Sequence, residues 1–124
     1  MTVGISNAEA NEAVDAWLAS YTWIKLHIGD PGAAGASNAA GNTTRQQATW
    51  RAAVAGQSSN SAAITWTSVS TSEDYTHFSI WTASTAGTFG GSGTVTAAAV
   101  TAGNNFTIPI DDLDIGIATA NIAA

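Results

Sequence analysis

The chain has 124 residues, enough for one domain with a single core, and 10% of them are charged, against about 25% in typical proteins. The net charge is -6, with Lys25, Arg45 and Arg51 as the only cations, so phosphate neutralisation and nucleic-acid binding are not expected. The chain has no cysteine, no apolar run long enough for a membrane span and no leader-like start, so we expect no disulfides, no membrane insertion and no signal peptide.

The first predicted element is a short helix over about residues 6–20. Ser6 and Glu9 have the spacing of a capping box, which satisfies free amides at a helix start. Helical spacing then gives one apolar stripe, formed by Ala10, Ala13, Val14, Trp17 and Leu18. We expect the helix to pack on a sheet as a lid rather than to bind a partner.

A strand over about residues 22–28 follows, because apolar side chains alternate along it with Trp23, Lys25 and His27. The run Asp30-Pro31-Gly32 ends it, since proline lacks an N–H donor and glycine accepts positive φ. The loop over residues 29–43 holds no large apolar side chain. It therefore has no core of its own, and we expect it to lie on the surface or against another subunit.

The rest of the chain reads as short strands separated by turn residues. Strands are predicted over about 45–51, 62–67, 74–83, 94–101, 106–110 and 113–120. Residues 55–61 and 90–93 have the composition of turns. The pattern predicts one mainly β domain over residues 1–124, an antiparallel β-sandwich or jelly roll with one short N-terminal α-helix.

No residue pattern predicts catalysis. His27 and His77 lie beside aromatic residues in different strands, which favours structural roles, and nothing supports a small hydrolase. We therefore expect no enzyme activity, no cofactor and no metal. The acidic residues Asp111, Asp112 and Asp114 are interpreted as a solvated turn or a charged strand edge. A calcium site and a salt bridge to a partner's arginine are the alternatives.

One stretch resembles a known family. Its residues are Leu26-His27-Ile28-Gly29-Asp30-Pro31-Gly32, a small-residue loop, and then Arg45-Gln46-Gln47-Ala48-Thr49-Trp50. This order resembles a signature of small virion proteins from tailed bacteriophages of actinobacteria, and the resemblance extends from about Trp17 to Trp66. Such proteins are usually labelled tail fibre or minor tail proteins, sometimes minor capsid or decoration proteins. The resemblance implies a non-enzymatic structural protein of the virion surface, made in the host cytoplasm.

Three functions remain open. A compact domain without heptads or shaft repeats favours capsid decoration or a minor capsid protein. The first alternative is a tail fibre or minor tail protein that contacts the host surface. The second is a carbohydrate-binding module that takes a host-surface glycan, with Trp23 as its best exposed platform. The other tryptophans are expected to be buried, namely Trp17, Trp50, Trp66 and Trp81.

Low charge also predicts that much of the surface is covered by partners, since interfaces are depleted in charge. We expect a homo-oligomer, with a trimer favoured, in contact with the major capsid protein or tail proteins. The predicted assembly contacts are Trp23, Asp30, Pro31, Gly32 and Arg45. The fork of Arg45 suits a carboxylate such as that of Asp30.

Overall fold

The computed structural model describes residues 4–117 and shows a mainly antiparallel β fold with one N-terminal helix, which confirms the predicted fold class. The elements are α1 (Asn7–Ser20), β1 (Trp23–His27), β2 (Gln46–Gln47), β3 (Gln57–Ser59), β4 (Ile64–Trp66), β5 (Glu73–Trp81), β6 (Phe89–Val100), β7 (Phe106–Ile108) and β8 (Asp114–Gly116).

Helix α1 begins where the capping signal places it. The Ser6 hydroxyl oxygen accepts from the Glu9 amide at 3.3 Å, which satisfies one of the free amides of the first turn. Its buried side chains are Ala10, Val14 and Leu18, and the Asp15 carboxylate accepts from the Ala53 amide at 2.8 Å. The helix is therefore a lid held by its buried side chains and by the Asp15 carboxylate. Within residues 4–117, no helix is both long enough and apolar enough to cross a membrane.

The first sheet has the order β2-β1-β5-β6. Its inner face is apolar because Ile24 lies opposite Ile80 and Leu26 opposite Phe78 in the β1–β5 register, and all four side chains are buried. The alternate residues of both strands face the opposite way. They form an outer face that carries the predicted contact residue Trp23.

The second layer is a long antiparallel ribbon in two segments. Strand β3 pairs with β8, and β4 pairs with β7. Asn60 joins the two segments, since its amide nitrogen donates to the Pro109 carbonyl at 2.9 Å and its oxygen accepts from the Leu113 amide at 3.0 Å. Trp66 of β4 is 1% exposed and packs against Phe106 with ring centroids 5.8 Å apart.

The two layers are joined on one side and separate on the other. Strand β2 pairs with β1, and the chain then crosses to the second layer, where Trp50 bridges Asn60. On the opposite side, the described residues place no strand between β6 and the β7–β8 edge. We call this side the open seam, defined by residues 91–98 of β6 and residues 106–116.

Several predicted details were wrong. Residues 90–93 lie inside β6 rather than in a turn, because glycines there leave room for aromatic rings: a Cβ on Gly91 would lie 3.2 Å from the Trp17 ring, and one on Gly93 2.8 Å from Phe78. Strand β3 lies within residues 55–61, which were predicted as a turn. Its side chains are all polar, so no alternation of apolar residues marks it as a strand in the sequence.

Other boundaries differ as well. Of the predicted strand 45–51, only Gln46–Gln47 is a strand, because the chain changes layers there. Residues 118–120 of the last predicted strand lie outside the described residues. Of the tryptophans expected to be buried, Trp66 is, whereas Trp17, Trp50 and Trp81 are half-buried.

Candidate assembly surface

The loop over residues 29–43 folds back across the outer face of its own first sheet. It returns beside β1, where the Ile28 amide donates to the Asn38 carbonyl at 2.9 Å and the Ala40 amide to the Leu26 carbonyl at 3.2 Å. Ala40 is 2% exposed. The loop has no core of its own, as its composition predicts, and it packs on the sheet beneath it.

The predicted turn Asp30-Pro31-Gly32 forms the base of this loop. The Asp30 carboxylate accepts from the Gly32 amide at 2.8 Å, and the Asn38 side chain donates to the Asp30 carbonyl at 2.9 Å. Pro31 is fully buried. Asp30 is exposed and Gly32 partly exposed, so these two residues, and not Pro31, have surface to offer to another molecule.

An aromatic pair supports the centre of the loop. Gly35 is buried with φ +71°, and a Cβ on it would lie 2.4 Å from Cδ1 of Phe89. Phe89 in turn packs on Trp81, with ring centroids 5.5 Å apart. Only glycine suits this position, since it tolerates the left-handed backbone and leaves room for the ring.

A buried hydrogen-bond chain lies below the loop. His27 Nδ1 is 2.9 Å from the Ser37 carbonyl, and since a carbonyl only accepts, Nδ1 carries the proton. Nε2 then accepts from the Ser79 hydroxyl at 2.7 Å, and Trp81 Nε1 donates to the same hydroxyl at 2.7 Å. Burial lowers the pKa of His27, against the opposing effect of its hydrogen bond to Ser37. His27 and Ser79 are both 0% exposed, so this pair is closed to a substrate and fastens the loop to the sheet.

Arg45 is an anchor, but its predicted pairing with Asp30 is wrong. Its Nη1 donates to the carbonyls of Ala83 and Ala86, each at 2.8 Å. Its Cζ lies 4.3 Å from the ring centroid of Trp81, a cation–π distance. The turn after β5 therefore offers Arg45 two acceptors and an aromatic face, while the Asp30 carboxylate is used by Gly32.

Glu73 holds the far end of the loop, and no sequence pattern indicated this. Its carboxylate oxygens accept from the Gly41 amide at 2.9 Å and the Asn42 amide at 3.1 Å. Two amides on one carboxylate make a strong anchor, because hydrogen bonds to a charged acceptor are stronger than neutral ones. The partners are too far apart in sequence for any local signal to connect them.

The predicted contact residues fall into two groups. Trp23 lies opposite Trp81 in the β1–β5 register, and Arg45 lies on the Trp81 ring, so Trp23 and Arg45 share one end of the outer face. Asp30 and Gly32 follow the opposite end of β1. Between them the loop exposes small side chains, namely Ala33, Ala34, Ala36, Ser37 and Asn38.

The acidic cluster forms an ion pair within the chain. The Arg51 guanidinium pairs with Asp111, with Nη2 3.1 Å from Oδ2, and the Ser59 hydroxyl donates to Asp111 at 2.9 Å. These hydrogen bonds, that of Arg51 first, lower the pKa of Asp111. Over residues 4–117, no three potential metal ligands converge. The carboxylate that could have paired with a partner's arginine is thus engaged by the chain's own.

The open seam is a second concave surface. A cleft of about 610 Å³ lies between residues 91–96 of β6 and residues 112–116, and a groove of about 370 Å³ continues it between residues 95–98 and 106–109. Buried core side chains also line the cleft, namely Phe78, Ile80, Ile108, Leu113 and Ile115. Core side chains therefore reach a solvent-filled opening at the seam.

Comparison with known proteins gives one family. No curated protein matches the chain. The sequence profile of the family described as podophage GP4 fiber I protein gp80 matches residues 4–116, and so includes the helix and all eight strands. Because this match covers nearly the whole chain, the chain belongs to that family of phage virion structural proteins.

Proposed function

We propose that this protein is a fibre component on the exterior of the phage particle, at the tail, rather than a capsid decoration protein. The observation that carries the proposal is the family match over residues 4–116, whose description names a fibre protein. Tail fibre was the alternative interpretation of the sequence, and the family favours it over the decoration role that a compact domain first suggested.

The side-chain chemistry supports a structural rather than a catalytic role. The hydrogen bond between the side chains of Ser79 and His27 is sealed under the loop. Arg45 and Arg51, which could bind an anionic substrate, are engaged by backbone carbonyls and by Asp111. The polar groups with the strongest contacts therefore fasten the fold together.

We also propose that the protein works as a homo-oligomer, most simply a trimer, that contacts other tail proteins. The exposed small side chains of the loop, such as Ala36, form one surface for the contact with those tail proteins. Small residues permit close approach of two backbones. The resemblance in residues 23–50 extends the proposal to a phage whose host is an actinobacterium.

The location is tested on purified virions. Tails and tail-less heads are separated, and the protein is detected in each fraction by mass spectrometry and by gold-labelled antibody in electron microscopy. We expect the protein in the tail fraction and label on fibres. Detection on tail-less heads in many copies, with none on tails, would overturn the fibre proposal in favour of decoration.

The loop contact is tested by charge. Ala36→Glu places a carboxylate on the exposed part of the loop, and Ala16→Glu places one on the exposed face of α1 as the matched control. We expect Ala36→Glu to lower the amount of the protein in purified tails and Ala16→Glu to leave it unchanged. Deleting residues 33–40 is a poor test, because it would remove Ala40 and the Ser37 carbonyl, which hold β1 and His27.

A further inference from the structure

Within the described residues, the open seam lies between the unpaired edge of β6 and the unpaired edges of β7 and β8, which a turn at residues 110–111 separates. Six consecutive residues of β6, 91–96, line the cleft, and so do five consecutive residues, 112–116. Side chains alternate between the faces of a strand, so the unbroken run along β6 means that the cleft meets the backbone edge of that strand, and the same holds for Asp114–Gly116 of β8. Each edge presents N–H and C=O groups that another strand can pair with.

The β6 edge has neither charge nor proline to protect it against pairing, although its register with β5 shifts at two points. Its 12 residues, Phe89–Val100, include no charged residue and no proline, whereas exposed edges are commonly guarded by lysine, proline or a short length. At about 3.3 Å per residue, the strand is about 40 Å long. An uncharged edge of this length, beside a cleft that reaches core side chains, is suited to pairing with another strand.

The two edges run in opposite directions. Each neighbouring pair around the fold is antiparallel, from β6 through β5, β1 and β2 to the ribbon. The residues that line the cleft and the groove agree with these opposite directions. Residues 91–96 face 112–116, and further along β6 residues 95–98 face 106–109. The β6 edge of one copy can therefore pair antiparallel with the β7–β8 edge of another copy whose strands point the same way, as around a rotation axis parallel to the strands.

Charge decides between the two ways of joining copies. A two-fold arrangement pairs like edges. Pairing β6 with β6 meets no charge but leaves the β7–β8 edge of each copy unused, whereas pairing the β7–β8 edge with itself brings Asp112 and Asp114 towards the same residues of the second copy. Like charges opposite one another destabilise strand pairing. In a head-to-tail arrangement, these carboxylates meet the uncharged β6 edge instead. Head-to-tail pairing is therefore the arrangement that uses both edges of every copy without bringing Asp112 and Asp114 of two copies together.

We propose that copies of this chain assemble head to tail through the open seam, with β6 of one copy paired to the β7–β8 edge of the next in a closed ring of three. The ring uses both free edges of every copy, and closure leaves no edge for further growth. The proposal rests on the homo-oligomer of the proposed function and names its interface. It does not depend on whether the particle carries the protein at its tail or its head.

Charge substitutions on β6 test the pairing and its direction. Thr94 is exposed and lines the cleft opposite the acidic edge. Thr94→Glu should reduce the sedimenting mass from three chains to one, because its carboxylate would face Asp112 and Asp114 of the next copy, and high salt should restore part of the assembly. Thr94→Lys should keep the trimer. The matched control is Thr44→Glu, at an exposed threonine just before β2, on the side where the two layers are joined.

Cysteine crosslinking tests which residues of neighbouring copies lie close together. The chain has no cysteine of its own, so every crosslink forms between introduced residues. Ser92→Cys and Asp114→Cys, on opposite walls of the cleft, are co-expressed with different tags and oxidised. We expect mixed Ser92→Cys–Asp114→Cys dimers above the level given by Ser92→Cys with Thr44→Cys, because Thr44 is exposed on the side where the layers are joined.

Each other outcome overturns the seam proposal. Crosslinking of Ser92→Cys with itself, or loss of assembly in both Thr94→Glu and Thr94→Lys, would indicate two-fold pairing. Crosslinking at Ala36→Cys alone would place the contact at the loop and keep the oligomer. A monomeric wild type would refute the oligomer as well, while leaving the location on the virion to its own test.

Discussion

The substitution Gly35→Ala tests whether the loop lies on the outer face as described. Gly35 has φ +71°, and an added Cβ would lie 2.4 Å from Cδ1 of Phe89. That separation is far below van der Waals contact, so the ring or the loop must move. Phe89 is held against Trp81, which limits how far the ring can turn away.

The expected cost has two parts. Alanine in the left-handed region costs about 1–2 kcal/mol, and overpacking in a well-filled site costs about 1–3 kcal/mol. Gly103→Ala is the matched control, because Gly103 has φ +89° and no atom within 4 Å of an added Cβ. It should lose only the backbone part. The difference in unfolding free energy between the two variants, about 1–3 kcal/mol, should then measure the clash between the added methyl group and the Phe89 ring.

Urea unfolding measures both free energies. Gly35→Ala should lose more stability than Gly103→Ala, and the excess should shrink in a Phe89→Ala background, because the ring that meets the new methyl group is then gone. Equal losses for Gly35→Ala and Gly103→Ala would refute the placement of the loop on the sheet. An excess that persists without the Phe89 ring would refute the assigned contact.

Three further predictions concern the core, the buried histidine and metal ions. Trp66→Ala should cost about 3–5 kcal/mol, and Trp17→Ala less, since only the Trp66 ring is fully buried; urea unfolding compares them. Stability should fall as the pH drops below the usual histidine pKa of 6.5, because the unfolded chain takes up a proton that folded His27 resists; His27→Gln should flatten this dependence in urea midpoints measured between neutral and mildly acid pH. Chelation with EDTA should leave the melting temperature unchanged, whereas a fall that calcium reverses would make Asp111 and its acidic neighbours ligands.

The elements that the sequence predicts well are those with local signals. Helix α1 has a capping serine and an apolar stripe, and β1 has strict alternation that Pro31 ends. Strand β5 alternates apolar and polar residues beside the core. In each case the physical cause of the structure, a cap, a face or a missing donor, lies within a few residues of the element itself.

The wrong prediction for residues 90–93 has a cause that lies far away along the sequence. The glycines at 90, 91 and 93 have turn composition, yet they extend β6 because the rings of Tyr21, Trp17 and Phe78 occupy the space of their missing side chains. Those rings come from α1, its C-terminal cap and β5. No window along the sequence contains both a glycine and the ring that explains it.

The candidate assembly surface was likewise predicted where the signal is local and missed where the partners are distant in sequence. Arg45 was predicted as an anchor because cations are few, and it is one, but its partners are the carbonyls of Ala83 and Ala86. Backbone acceptors have no sequence signature, so a carboxylate was the natural prediction. Glu73 had no signal at all, since its role depends on the return of the loop to the start of β5.

The distribution of charge links composition to assembly. Two of the three cations are engaged within the chain, Arg45 by carbonyls and Arg51 by Asp111, and Lys25 lies half-buried beside Arg45, where burial and that neighbour lower its pKa. Carboxylates therefore dominate the exposed charge. Copies of such a chain repel one another wherever acidic surfaces meet, and contact is favourable only where one side is neutral. The β6 edge is the longest neutral edge in the described part of the chain. The open seam is therefore the place where another copy can pair with the least repulsion between carboxylates.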